Sequence, residues 1–266
     1  MIREITLGQY YPANSVLHRL DPRVKLSGTL LFVISLFLFQ SFTGYIVATV
    51  FLAGLIIISR VPVSFMFKGL KAIMVLLVFT AVLNMIFTPG RELISFWKIT
   101  ITIEGVRFAA FMVIRLIYLI IGSSLMTLTT TPSNLTDGLE KSLSWMKALK
   151  IPVHEISMMM SIALSFIPIL LQETDKIMKA QQARGVDFER GSIIKRIKSL
   201  VPLLVPLFVS SFRRANDLAM AMEARCYRGG EGRTKMKPLK YCSRDFIAYG
   251  VLAAYLAAII IVGIVF

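Results

Sequence analysis

Residues 246–266 read FIAYGVLAAYLAAIIIVGIVF, an apolar run without one charged side chain. Crossing the ~30 Å hydrocarbon core of a bilayer as a helix takes about 17–25 such residues. A half-buried strand or a surface helix would alternate or show one apolar face instead. The same reading extends to Leu26–Phe42, Tyr45–Ser59, Leu70–Phe87 and Val106–Leu128, with Lys71 and Arg107 at the edges of the last two and Arg115 inside the last. Composition agrees: the 266 residues are 56% hydrophobic and 17% charged, with a mean hydropathy of +0.72. A soluble domain carries roughly 25% charged residues. Disorder and a water-soluble globule are both excluded. The expected fold class is all-α: a polytopic helical membrane protein with about five transmembrane helices.

The formal net charge of +15 arises from 30 Lys and Arg against 15 Asp and Glu. In a soluble chain that excess would suggest nucleic acid. In a membrane chain it reads as the positive-inside bias, so no nucleic-acid partner is expected. Basic residues gather before the first span (Arg3, Arg19, Arg23, Lys25) and in the second loop (Arg60, Lys68, Lys71). Residues 130–245 hold 19 of the 30. The bias therefore puts the N-terminus and this long segment in the cytoplasm and the C-terminus outside. Arg91, Lys98 and Arg107 are external exceptions, partly balanced by Glu92 and Glu104.

Three regions follow: 1–129, an N-terminal membrane part of four helices; 130–245, a cytoplasmic helical arm; and 246–266, a C-terminal transmembrane helix. The arm contains two shorter apolar runs, Ile156–Gln172 and Ser199–Phe212. Were both to cross, Lys176, Lys179, Arg184, Arg190, Lys195, Arg196 and Lys198 would share one external loop, against the charge bias. Both runs are therefore expected at the cytoplasmic membrane face. Each continues into a charged helix, His154 to Arg184 and Ile193 to Arg225, with a shorter helix over Ser133 to Leu149. The N-terminal stretch is too polar for a cleavable signal peptide. Cys226 and Cys242 lack the spacing of a metal knuckle.

The two long helices end alike, in Ala183-Arg184-Gly185 and Ala224-Arg225-Cys226, with 41 positions between the arginines (225 − 184). One account is that each cation complements the helix macrodipole, worth about 0.3–1 kcal/mol. The other is that paired guanidinium forks are presented to the acidic grooves of a soluble partner.

Here the chain resembles a family. His18-Arg19-Leu20-Asp21-Pro22-Arg23-Val24-Lys25-Leu26 is similar to the N-terminal stretch of the transmembrane (T) component of energy-coupling factor transporters. Thr129-Thr130-Thr131-Pro132, the helix with Pro168, Gln182-Ala183-Arg184-Gly185 and Ala221-Met222-Glu223-Ala224-Arg225-Cys226-Tyr227 follow in that family's order. The resemblance spans nearly the whole chain. It implies a subunit in a bacterial or archaeal inner membrane, joining two ABC-type ATPase subunits to a small membrane S component for vitamin uptake. It also implies that Arg184 and Arg225 each engage one ATPase. The chain itself would be no enzyme and bind no cofactor, with ATP and Mg held by the partner ATPases. Cys226 departs from the glycine common at that position in the family.

Met158, Met159, Met160, Met178, Met220 and Met222 fall in the same two helices, and methionine suits adaptable binding surfaces. Ser157, Ser161 and Ser165 add a small-residue face for close helix approach. Under the resemblance these are expected S-component contacts; otherwise they are core positions of the arm. Arg115, inside the fourth span, costs at least ~2.5–3.5 kcal/mol to insert and needs a partner. Asn84 is the expected one, making Arg115 an intramembrane anchor; snorkelling toward Tyr118 is the competing account.

Enzymatic readings find little support. Gly229-Gly230-Glu231-Gly232-Arg233-Thr234-Lys235 lacks the order and preceding strand of a phosphate loop, and His154-Glu155 lacks the second histidine of a zinc motif. No catalytic or metal-binding set is expected. A self-contained secondary transporter or channel remains the alternative function, but it would want ionisable groups at the midplane and broken helices in paired halves. Away from the span ends, where Lys71 and Arg107 sit, only Arg115 is charged within the five spans.

Overall fold

A computed structural model describes residues 10–39, 41–96, 99–186, 188, 192–230, 236 and 238–265. Arg3, Lys98, Arg190 and the run Glu231 to Lys235, weighed above, lie outside the described residues. The helices are α1 (Pro22–Leu38), α2 (Phe42–Ser59), α3 (Val63–Phe87), α4 (Ile103–Thr129), α5 (Pro132–Ser142), α6 (Val153–Ala183), α7 (Ile193–Ala224) and α8 (Ser243–Val265). The fold is all-α and membrane-spanning apart from one hairpin that the sequence reading did not foresee. Strands β1 (Glu92–Phe96) and β2 (Ile99–Thr102) pair antiparallel between α3 and α4, with a register shift between Glu92 and Ile94.

The chain divides into two compact units, one of residues 1–142 with 239–266, the other of residues 143–238. In the first, α1 packs on α4, α5 and α8, α2 on α4 and α8, and α3 on α4. Phe32 and Leu36 of α1, Tyr45 and Leu52 of α2 and Tyr255 and Ile259 of α8 form its main buried cluster. Grouped by sequence with the arm, α5 instead lies in this unit against α1. In the second unit, α6 and α7 pack on each other. Val153, Ser157 and Leu203 are its only buried side chains among the described residues.

By length and composition α2, α4, α6 and α8 can each cross a membrane, and α3 adds the apolar stretch Ile73–Phe87. At 17 residues, α1 is at the lower limit of a span. The run Ile156–Gln172, expected from the charge bias at the cytoplasmic membrane face, is part of a 31-residue helix long and apolar enough to cross, since Pro168 is absorbed within α6. The helix expected over Ser133 to Leu149 is two elements, α5 and a 3-10 turn over Ser144–Leu149. Ser142, Ser144 and Trp145 at the break are only middling helix formers.

Candidate functional site

The two arginine-bearing helix ends have one geometry. At the end of α6, Gly185 donates its N–H to Gln182 O (2.9 Å) and Val186 to Gln181 O (3.1 Å). At the end of α7, Cys226 donates to Glu223 O (2.8 Å) and Tyr227 to Met222 O (3.0 Å). Each is a Schellman turn, in which the residue after the cap takes the left-handed conformation. Gly185 has φ +86° and Cys226 φ +53°. Position by position, Arg184 matches Arg225 and Gly185 matches Cys226. The third residue of each tripeptide is thus set by backbone conformation, which accounts for glycine in one and strains the cysteine in the other.

All six tripeptide residues, Ala183, Arg184, Gly185, Ala224, Arg225 and Cys226, are exposed. Among the described residues neither arginine has an ion-pair partner, so both guanidinium groups face outward. The packing of α6 on α7 also sets their separation. Gln181 donates its side-chain N–H to Pro202 O (3.3 Å), a carbonyl whose helical donor is missing because Pro206 has no N–H. Further along, Arg214 pairs with Glu173 at 3.4 Å. Contacts at 181–202 and 173–214 run the helices antiparallel. The end of α6 therefore meets the start of α7, and Arg225 lies 23 residues beyond Pro202, roughly 35 Å along the axis. No single small ligand bridges that distance.

The methionines divide. Met159, Met160 and Met220 are exposed at 57%, 41% and 60%, while Met158, Met178 and Met222 are partly buried. The serine face divides too, with Ser157 buried and Ser161 and Ser165 exposed. A longer apolar surface lies on α7. Ile194, Ile197, Val201, Leu204, Phe208 and Phe212 recur every three or four residues, each at least 46% exposed. The spacing is legible, and part of it falls in the run Ser199–Phe212 expected at the cytoplasmic membrane face.

Asn84 is not the partner of Arg115. Its amide donates to Thr80 O (2.8 Å) and lies 3.0 Å from Met112 Sδ. Arg115 Nη2 instead donates to Phe39 O at 3.4 Å, with its guanidinium 5.4 Å from the Phe37 ring. Asn84 and Arg115 line a cavity of about 440 Å³ with Glu104, Arg107, Phe108, Phe111 and Met112. The anchoring expectation thus passes to the end of α1, whose carbonyl is freed where the helix stops.

The His18–Leu26 stretch forms a clasp within the first unit. Asp21 caps α1, accepting from Arg23 N (2.9 Å) and pairing with its guanidinium (3.0 Å). Arg23 also lies 4.0 Å over the Tyr241 ring. Asp245, at the start of α8, accepts from Asp21 N and Cys242 N, each at 2.8 Å. Lys25 donates to Thr129 O (2.9 Å) and His18 O (3.3 Å). His18 Nε2 donates to Tyr11 O (3.0 Å) and Nδ1 accepts from Ser15 Oγ (2.7 Å). Since a carbonyl can only accept, Nε2 carries a proton, and in the neutral ring Nδ1 is left to accept from Ser15. Burial pushes its pKa below the usual 6.5, and Lys25 adds to the effect.

The family model for cobalt transport proteins (CbiQ) matches residues 13–236. The chain belongs to this family. Curated relatives named energy-coupling factor transporter transmembrane protein EcfT match along almost its full length. That of Clostridium kluyveri is 56% identical over 250 residues, 93% of each chain. That of Ruminiclostridium cellulolyticum is 50% identical over 266 residues, 100% of each. That of Bacillus subtilis is 47% identical over 264 residues, 96% of this chain and 98% of its own. The family match includes the clasp residues of α1 and both arginine turns.

Proposed function

We propose that this chain is the membrane-embedded energy-coupling subunit of an ATP-driven vitamin or micronutrient uptake transporter. It links two ATP-binding subunits to a substrate-binding S component and passes the ATP-driven motion of the first to the second. ATP and Mg belong to the partner ATPases; this chain performs no covalent chemistry and holds no cofactor. The basic loops support a bacterial or archaeal inner-membrane protein with its N-terminus in the cytoplasm.

One observation carries the reading: two exposed arginines on identical turns, too far apart for one ligand. Two like anchors at that spacing suit two copies of one kind of partner, each offering a carboxylate-lined groove to a guanidinium fork. A helix cap accounts for each turn singly, but not for an exposed arginine at the same position of both. The S component is assigned to the uncovered faces of α6 and α7, with Met159, Met160 and Met220 at their margins.

Each charge-assisted contact is worth about 1.5–3 kcal/mol. Losing one leaves a weakened complex, because the other holds the pair at high effective concentration. Arg184→Glu with Arg225→Glu should lose both ATPases in a pull-down and abolish uptake, with membrane insertion unchanged. Wild-type recovery of the ATPases by the double variant overturns the assignment.

A further inference from the structure

The first unit contains an apolar slot that the proposed coupling role does not use. Its volume is about 240 Å³, and α1, α2, α4 and α8 each give it one face. Val24, Gly28 and Phe32 line it from α1, Leu52 and Leu55 from α2, and Leu125 from α4. Its mouth lies where α1 and α8 begin and α2 and α4 end, and there it carries Lys25 and Arg244. From Arg244 to Leu252, the slot runs about 12 Å along α8, most of the ~15 Å depth of one leaflet.

Water finds few polar partners on such walls, whereas an acyl chain would make packing contacts along their length. The charge of Arg244 at the mouth is not neutralised locally: it is exposed, without a carboxylate partner among the described residues. Lys25 donates to two carbonyls and lies in the fields of Asp21 and Asp245. The chain ends forming the mouth belong to the basic side of the molecule, where anionic headgroups lie.

We propose that this slot binds one anionic phospholipid, its acyl chain between the four helices and its phosphate against Arg244 and the remaining N–H of Lys25.

The test uses the full chain, delipidated in neutral detergent, with phosphatidylglycerol or phosphatidylcholine added back. Ligand bound only by the folded state raises the unfolding midpoint. Phosphatidylglycerol should raise it by several degrees and appear as one adduct per chain in native mass spectrometry, whereas phosphatidylcholine should do neither. Arg244→Gln should cut the phosphatidylglycerol response to the phosphatidylcholine level. Gly28→Leu should fill the slot, since a Cβ there meets nothing within 4 Å, and should abolish the response without lowering the lipid-free midpoint. Val251→Trp, at the exposed far end of the slot on α8, tests the same blockage should the leucine variant fold poorly. Equal responses to the two lipids, a full response from the blocked variants, or the same rise with glycerol phosphate alone would each overturn the proposal.

Discussion

Gly185 and Cys226 occupy the same backbone position, and their difference separates conformation from recognition. A left-handed turn costs a non-glycine residue roughly 1–2 kcal/mol, so Gly185→Ala should lose about 1 kcal/mol in thermal unfolding. Cys226→Gly relieves that strain but gives the unfolded chain about 0.4–1 kcal/mol of added freedom. The two effects nearly cancel, so its stability should move by less than about 1 kcal/mol while ATPase capture persists. Loss of capture by Cys226→Gly would make the thiol part of the contact. His18 sets a second residue-scale expectation. Its folded pKa is below the unfolded 6.5, so the folded protein binds fewer protons there. The stability it contributes is complete above pH 6.5 and declines as pH falls through the lower folded value. Unfolding midpoints between pH 7.5 and 5 should fall more steeply for the wild type than for His18→Gln; parallel curves would remove His18 from the account.

At the scale of elements, breakers were legible and long-range partners were not. Gly185 marked the end of α6 to within two residues, whereas Gly229-Gly230 lies five residues past Ala224, beyond the turn at Cys226 that ends α7. The Ile99–Thr102 alternation was readable as a strand, yet four residues between two apolar spans carry a weak signal. Arg115 shows the other limit: its need for a partner followed from bilayer energetics, but the Phe39 carbonyl became available only through the packing of α1 and α4. Pro206 is similar, because nothing local indicates that Gln181 of another helix supplies the missing donor. The α7 stripe from Ile194 to Phe212, roughly 27 Å long, yields the prediction for this scale. An unpaired charge at Val205 or Phe208 costs about 3 kcal/mol to desolvate against an apolar partner, roughly a hundredfold in affinity. Phe208→Lys should therefore weaken S-component capture while both ATPases remain bound. Loss of all three partners together would assign the stripe to the stability of the arm.

For the whole molecule, the contrast between the units matters most. The first buries two apolar clusters and is cross-tied by the Asp21–Asp245 and Lys25–Thr129 contacts. The second orders more than sixty helical residues in α6 and α7 with Val153, Ser157 and Leu203 as its buried side chains among those described. Fixing each residue costs about 1–2 kcal/mol of conformational entropy, which so few buried groups cannot offset by themselves. Surfaces covered by membrane and by partners must supply the rest, as expected of an element that passes motion between chains. Saturation at a hundred times Kd adds about 2.7 kcal/mol of stability, a protection factor near 100. Amides of Val209 to Ala224 should therefore exchange rapidly in the isolated chain and at least tenfold more slowly in the assembled transporter. Those of α1 and α2 should change little between the two states. Equal protection of Val209 to Ala224 in both would mean that the arm is stable unaided, and its exposed faces would then need another explanation than partner binding.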